Sequence, residues 1–245
     1  MVARGKLTPI EVQAALEAQR SACYGKIGEW IEKLGFASES EVTKALALQW
    51  GCPVATSFDP SAHYLPGDIP LAILEAYQML PLNYVAGSNT LYLAFGERVD
   101  HAALYAIEKI LECHTLPCVA GREAVARQLE AMRQLARPGD VEFGPMTDLG
   151  EMARIASSYT SRLSPGQVRM SRVGRFIWLR LYRDFKPSAN KASEDSSEAT
   201  KVRSQPEVFN RRSTQTATNL VFRLPQETAK IVPITRSIRD LFPAN

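Results

Sequence analysis

An α+β fold is predicted, in three parts: an N-terminal helical repeat pair, a small α/β sandwich unit, and a small helix-plus-antiparallel-sheet unit with a disordered insertion. Three observations predict it. One segment occurs twice near the start of the chain, strand-like and helix-like runs then alternate from Leu71 to Leu135, and a capped amphipathic helix is followed by three strand-like runs beyond Asp148. The expected boundaries are residues 1–58 for the repeats, 62–135 for the α+β part, and 147–185 plus 219–225 for the last unit. Residues 186–218 are expected to be a disordered insertion and 226–245 a tail.

The repeat comes first. Gly5-Lys6-Leu7-Thr8-Pro9-Ile10-Glu11-Val12-Gln13-Ala14-Ala15-Leu16-Glu17-Ala18-Gln19 recurs as Gly35-Phe36-Ala37-Ser38-Glu39-Ser40-Glu41-Val42-Thr43-Lys44-Ala45-Leu46-Ala47-Leu48-Gln49. Thr8 with Glu11 and Ser38 with Glu41 have capping-box spacing, in which hydroxyl and carboxylate satisfy N–H groups at a helix start. Pro9 reinforces the first start, because its fixed φ suits the first helical position. Val12 and Leu16, like Val42 and Leu46, stand four apart and share a helix face, with Gln19 or Gln49 further along beside them. Before the second copy, Lys26 to Leu34 reads as another helix that buries Ile27, Trp30, Ile31 and Leu34. Before the first copy only Val2-Ala3-Arg4 stands in that place, so the chain is expected to begin inside a repeat.

Gly51-Cys52-Pro53-Val54 ends the repeats, and a loop with Pro60, Pro66 and Pro70 follows. Leu71 to Tyr77 then reads as a short helix, and Met79 to Val85 and Thr90 to Phe95 as strands around Gly87-Ser88-Asn89. Asp100 to Cys113 reads as a helix with Leu104, Ile107 and Leu111 inward, Thr115 to Ala120 as a strand, and Arg122 to Leu135 as a charged amphipathic helix. Ala136 through Pro145 has linker composition. Asp148 with Glu151 starts a helix whose Leu149, Met152, Ile155, Tyr159 and Leu163 follow helical spacing. Gln167 to Val173 and Arg175 to Arg183 read as strands joined at Gly174. Asn219 to Leu224 alternates like one more strand, expected to pair back onto that hairpin. Between them, Lys186 to Thr218 has Phe209 as its single aromatic, too little apolar surface to offset chain entropy.

Bulk properties exclude several classes. The 245 residues can bury roughly 70% of their unfolded surface. A net charge of +3 does not by itself argue for nucleic acid or anionic membrane, and no apolar run approaches the roughly 20 residues of a membrane span. Cys23, Cys52, Cys113 and Cys118 lack metal-ligand spacing and are read as reduced thiols, so no metal is expected. His63, His101 and His114 have no nucleophile or carboxylate partner in sequence, and Asp100 beside His101 reads as a helix cap. No catalytic residue is expected.

The pattern G-x-x-[ST]-x-x-E-[LV]-x-x-A-L-x-x-Q, repeated, then G-x-P and "LPL…LYLAF…VD", resembles the N-terminal domain of the type II secretion and type IV pilus assembly ATPases, over about Met1 to Leu135. The resemblance implies a docking and regulatory module for a partner protein of such a system, cytoplasmic or held at the inner membrane through that partner. The sequence contains no G-x-x-x-x-G-K-[ST], so nucleoside triphosphate hydrolysis is not expected of it.

Some members of that family use paired repeats to bind cyclic di-GMP, through a motif opening R-L-G and ending A-L-x-x-Q. The second copy matches at Lys26, Ile27, Gly28, Ile31, Gly35, Val42, Leu46 and Gln49, and the first at Gly5, Val12, Leu16 and Gln19. The chemistry suits a dinucleotide: apolar side chains cover bases, an amide meets a base edge, and a cation meets phosphate. Lys26 stands where the motif has arginine and so lacks the planar fork, and the first copy has no R-L-G. Half a bipartite site is expected to bind poorly. The plainer reading makes Val12, Leu16, Val42 and Leu46 helix packing, Gln19 and Gln49 surface amides, and Lys26 a solvated cation at a helix start.

A third reading concerns Phe176, Trp178, Arg180 and Tyr182, which share one strand face. Such a face on an open sheet stacks RNA bases, or else it is covered by protein. The wider basic clustering of a nucleic-acid binder is missing, so cover by protein is the expectation.

Overall fold

The computed structural model describes residues 1–2, 5–56, 58, 69–134, 139–183 and 217–225. They divide into two units. One comprises residues 1–65, 73–108 and 113–136, the other residues 66–72, 109–112 and 137–245. Of the expected insertion at 186–218, residues 186–216 lie outside the described residues, as does the tail at 226–245, whereas Ala217 and Thr218 belong to a strand and correct that expectation.

In the first unit the repeats give helices α1 (Pro9–Ala22) and α3 (Glu39–Trp50), with α2 (Ile27–Lys33) between them. Both capping boxes form. The Thr8 and Ser38 hydroxyls accept from the N–H groups of Glu11 and Glu41, whose carboxylates accept from the backbone N–H of Thr8 and Ser38. These bonds favour the ionised carboxylate and hold Glu11 and Glu41 below the usual glutamate range. Leu7, Ala15, Ile31, Ala37 and Val42 form the shared core, flanked by Val12, Ile27, Trp30 and Leu46. Leu34 does not join it. It is 41% exposed, because α2 ends at Lys33 and the chain turns away through Gly35 at φ +73°, a left-handed conformation that glycine adopts without a Cβ penalty.

The remainder of the unit is α4 (Leu71–Ala76) from Ile73 onward, β1 (Met79–Val85), β2 (Thr90–Phe95), α5 (His101–Leu111) as far as Glu108, β3 (His114–Val119) and α6 (Arg122–Gln134). β1 pairs antiparallel with β2 and β2 parallel with β3. A parallel pair needs a crossover, which α5 supplies. Asp100 accepts from the Ala103 N–H and so caps α5. Leu91, Leu93, Phe95, Ile107 and Val125 are buried at the centre. The repeats are tied to this sheet by the bridge of Val54 to Val119 and by Glu39, whose Oε1 accepts from the Glu123 N–H at the start of α6, 2.9 Å away.

The second unit has β4 (Asp140–Pro145), α7 (Leu149–Leu163), β5 (Gln167–Val173), β6 (Phe176–Tyr182) and β7 (Ala217–Arg223), in sheet order β4-β7-β6-β5. The β5-β6 hairpin and the pairing of β7 onto it match the sequence reading, with β7 beginning two residues before Asn219. The linker reading of 136–145 fails at Asp140–Pro145, which is a strand paired parallel to β7. α7 packs one sheet face through all five expected positions, Leu149, Met152, Ile155, Tyr159 and Leu163, against Ile177, Leu179, Leu181, Leu220 and Phe222.

The opposite face carries Phe176, Trp178, Arg180 and Tyr182, and each is at least nine-tenths buried. Trp178 Nε1 donates to Asn219 Oδ1 at 3.0 Å, Arg180 Nη1 donates to the same oxygen at 3.4 Å, and Asn219 Nδ2 donates to Asp140 Oδ1 at 2.8 Å. Tyr182 Oη donates to the carbonyl of Ile110, and burial raises the Tyr182 pKa. The base-stacking reading is therefore overturned. An indole with no exposed surface and a hydrogen-bonded N–H has no face to offer a base.

Candidate functional site

A cavity of about 570 Å³ opens within the first unit. Lys26, Ile27 and Gly28 enter from the start of α2, Val42, Leu46, Gln49 and Trp50 from α3, and Tyr77, Glu97, Arg98, Asp100 and Arg122 from the α+β part. Six of the motif positions thus come together. Lys26 is the N-cap of α2, and its Nζ makes an ion pair with Glu97. Ile27, Val42 and Leu46 give an apolar wall, and Gln49 stands exposed at the rim. Gly28 is needed for packing. A Cβ there would lie 3.0 Å from Val42 Cγ1, so glycine lets α2 approach α3 closely.

The other motif positions are elsewhere. Ile31 is core at 6% exposure, and Gly35 terminates α2. Val12 flanks the repeat core, Leu16 is half-buried on α1, and Gln19 donates from Nε2 to the Gly25 carbonyl at 2.8 Å, closing the turn after α1. None of these five lines the cavity.

Charged side chains interrupt this mostly apolar lining. Five carboxylates, Glu29, Glu32, Glu39, Glu97 and Asp100, face three cations, Lys26, Arg98 and Arg122, a net charge of −2 with all ionised. The cations are engaged: Lys26 with Glu97, Arg98 with Asp100 at 3.1 Å, and Arg122 with Glu29 at 2.6 Å and Glu32 at 3.7 Å. Burial raises the Glu32 pKa. Arg122 opposes the shift, whereas the Glu39, Glu123 and Glu29 carboxylates add to it. Trp50 adds a donor, since its indole N–H is shielded from solvent and has no acceptor among the described residues.

The acidic members were not singled out by sequence reasoning. Glu29 and Glu32 are spaced for the Lys26 side of α2 and could have been found by that periodicity. Glu97 and Arg122 arrive through tertiary folding, and no local pattern marks them, while the sequence marked Asp100 only as the cap of α5.

Three solved structures share features with this chain. The structure of MshE with cdg is 21% identical, matching 53% of this chain and 93% of that one with a TM-score of 0.43. Two crystal forms of the N-terminal domain of XpsE are 19% and 18% identical, each matching 53% of this chain and 88% of that one, with TM-scores of 0.31 and 0.39. The chain is similar to MshE and to the N-terminal domain of XpsE. No protein-family model and no curated protein matches it.

The four cysteines are free thiols, as the sequence reading expects, and burial raises the pKa of Cys52 and Cys118. Among the described residues no three His, Cys, Asp or Glu side chains group as metal ligands, and no helix is long and apolar enough to cross a membrane.

Proposed function

We propose that this protein is a non-catalytic docking and regulatory module that binds a partner protein of a type II secretion or type IV pilus assembly system, in the cytoplasm or at the inner membrane through that partner. The observation that carries the proposal is the cavity between the second repeat and the α+β part, with apolar walls and an acidic lining whose cations are already paired. Such a lining suits a protein segment better than a phosphate, because an anion would meet excess carboxylates. The sequence resemblance supports the choice of system.

The test is to mix the purified chain with the purified cytoplasmic region of an inner-membrane platform protein from such a system and follow complex formation by interferometry. A complex weakened by Leu46→Asp, on the cavity wall, is expected. No complex with any platform protein tried would overturn the proposal, as would turnover of ATP by the pure chain.

A second reading is cyclic di-GMP binding in the same cavity, favoured by the convergence there of Lys26, Ile27, Gly28, Val42, Leu46 and Gln49. For a phosphate to reach Lys26 it must displace Glu97. Calorimetric titration with cyclic di-GMP decides it: binding at about 1 μM or tighter, weakened by both Lys26→Ala and Gln49→Ala, would make the cavity a second-messenger site.

A further inference from the structure

We infer that the partner segment that enters the first unit's cavity is a basic, amphipathic peptide, in which arginine or lysine side chains meet Glu29, Glu32 and Glu39 while apolar neighbours cover Val42 and Leu46. This rests on the docking reading and names the chemistry of the partner.

Two features of the cavity each make a separate demand. The first is charge. Around Arg122 stand Glu29 at 2.6 Å and Glu32 at 3.7 Å, and Glu39 commits one oxygen to the start of α6. Carboxylates therefore outnumber cations here, and a guanidinium or ammonium brought among them relieves their mutual repulsion. The second is apolar area, because Ile27, Val42 and Leu46 form a wall that gains by losing contact with water.

Known ligand chemistries divide on these demands. A small polycation answers the first and supplies no apolar surface. A cyclic dinucleotide offers apolar base faces, and brings negative charge to a cavity with negative charge in excess. A peptide of basic and apolar residues answers both, with cations for the carboxylates and apolar side chains for the wall. A cavity of about 570 Å³ has room for a few side chains, which makes the occupant a short anchoring segment of a larger protein.

The test uses the full chain and two labelled helical peptides, one with arginine and leucine at i, i+4 spacing and one with glutamate in place of arginine, followed by fluorescence anisotropy. The arginine peptide is expected to bind at least about tenfold more tightly than the glutamate peptide, and to weaken as salt rises. Glu32→Gln should weaken it about fivefold, whereas Glu17→Gln, on the exposed side of α1, should leave it unchanged. Because burial disfavours the Glu32 charge, Glu32→Gln should not unfold the unit, so lost binding will report the site.

Equal affinity for the two peptides, or a Glu32→Gln effect no larger than that of Glu17→Gln, would overturn the inference. Displacement of the arginine peptide by spermine or cyclic di-GMP at comparable concentration would also do so. If a platform protein binds and neither Glu32→Gln nor the arginine peptide affects it, docking stands and the basic-segment inference falls. If no platform protein and neither peptide binds, both fall.

Discussion

The two copies of the repeat start alike and end in different roles. Thr8 with Glu11 and Ser38 with Glu41 make the same reciprocal cap, and Leu7 and Ala37 are buried at matching positions. Beyond the first turn they part. In the first copy Gln19 is used internally, holding the Gly25 carbonyl, and Leu16 does not line the cavity described above. In the second copy Leu46 and Gln49 line it, because α2 stands ahead of it and Ala76, Tyr77, the loop residues Gly96, Glu97, Arg98 and Asp100, and Arg122 supply the other walls. The caps follow from local sequence. The site depends on what each helix packs against, so an identical residue can be structural in one copy and surface-forming in the other.

The comparison breaks most severely at Ile31, the buried core residue α2 contributes to the repeats, whose matching position in the first copy is the partly buried Met1. Ile31→Ala should cost about 2–5 kcal/mol in urea unfolding, through lost burial and the cavity left behind. Next come the caps, where the copies should behave alike. Thr8→Ala and Ser38→Ala should each cost about 1 kcal/mol, and a clear inequality would show that the shared sequence is not a shared energetic unit.

The amides should then separate them. Gln19→Ala removes a hydrogen bond to backbone and should cost about 1 kcal/mol, while Gln49→Ala, at an exposed rim, should stay within about 0.5 kcal/mol.

The smallest effects are in pH dependence. Glu11 and Glu41 have depressed folded-state pKa values, so the stability they add is present above the unfolded value of about 4.3 and is lost as pH falls through the folded value. Glu11→Gln and Glu41→Gln should each flatten the acid limb of a melting-temperature profile. Glu32 has the opposite sign: its raised pKa costs stability above the folded value and nothing below the unfolded one. Glu32→Gln should therefore raise the melting temperature at neutral pH, with the gain vanishing in acid.

Much of this was legible because it is local. The capping boxes were readable from hydroxyl and carboxylate spacing, α7 from five apolar positions that all reach its core, and the β5-β6 hairpin from alternation around Gly174. Leu34 was misread because periodicity alone does not show that Gly35 ends the helix first. β4 was missed because Pro138-Gly139 and Gly144-Pro145 give it the punctuation of a loop, while its hydrogen bonds go to β7, far along the chain. The closing of the aromatic face was likewise hidden, since Asn219 and Asp140 join Trp178 only through tertiary folding. At the cavity, sequence supplied the wall from α2 and α3 and missed the distant carboxylates that set its charge.

In the second unit the strand between β4 and β6 is the last one synthesised. The β5-β6 hairpin can close as soon as Tyr182 has left the ribosome, but β4, made earlier, has no edge to join until Ala217–Arg223 emerges. Such pairing over a long stretch of chain is slow relative to hairpin closure, and a waiting strand exposes unpaired backbone groups. A nascent chain halted before Ala217 would therefore hold a finished hairpin beside an unmatched strand, and the sheet would be completed in a single late step after its other three strands have been translated.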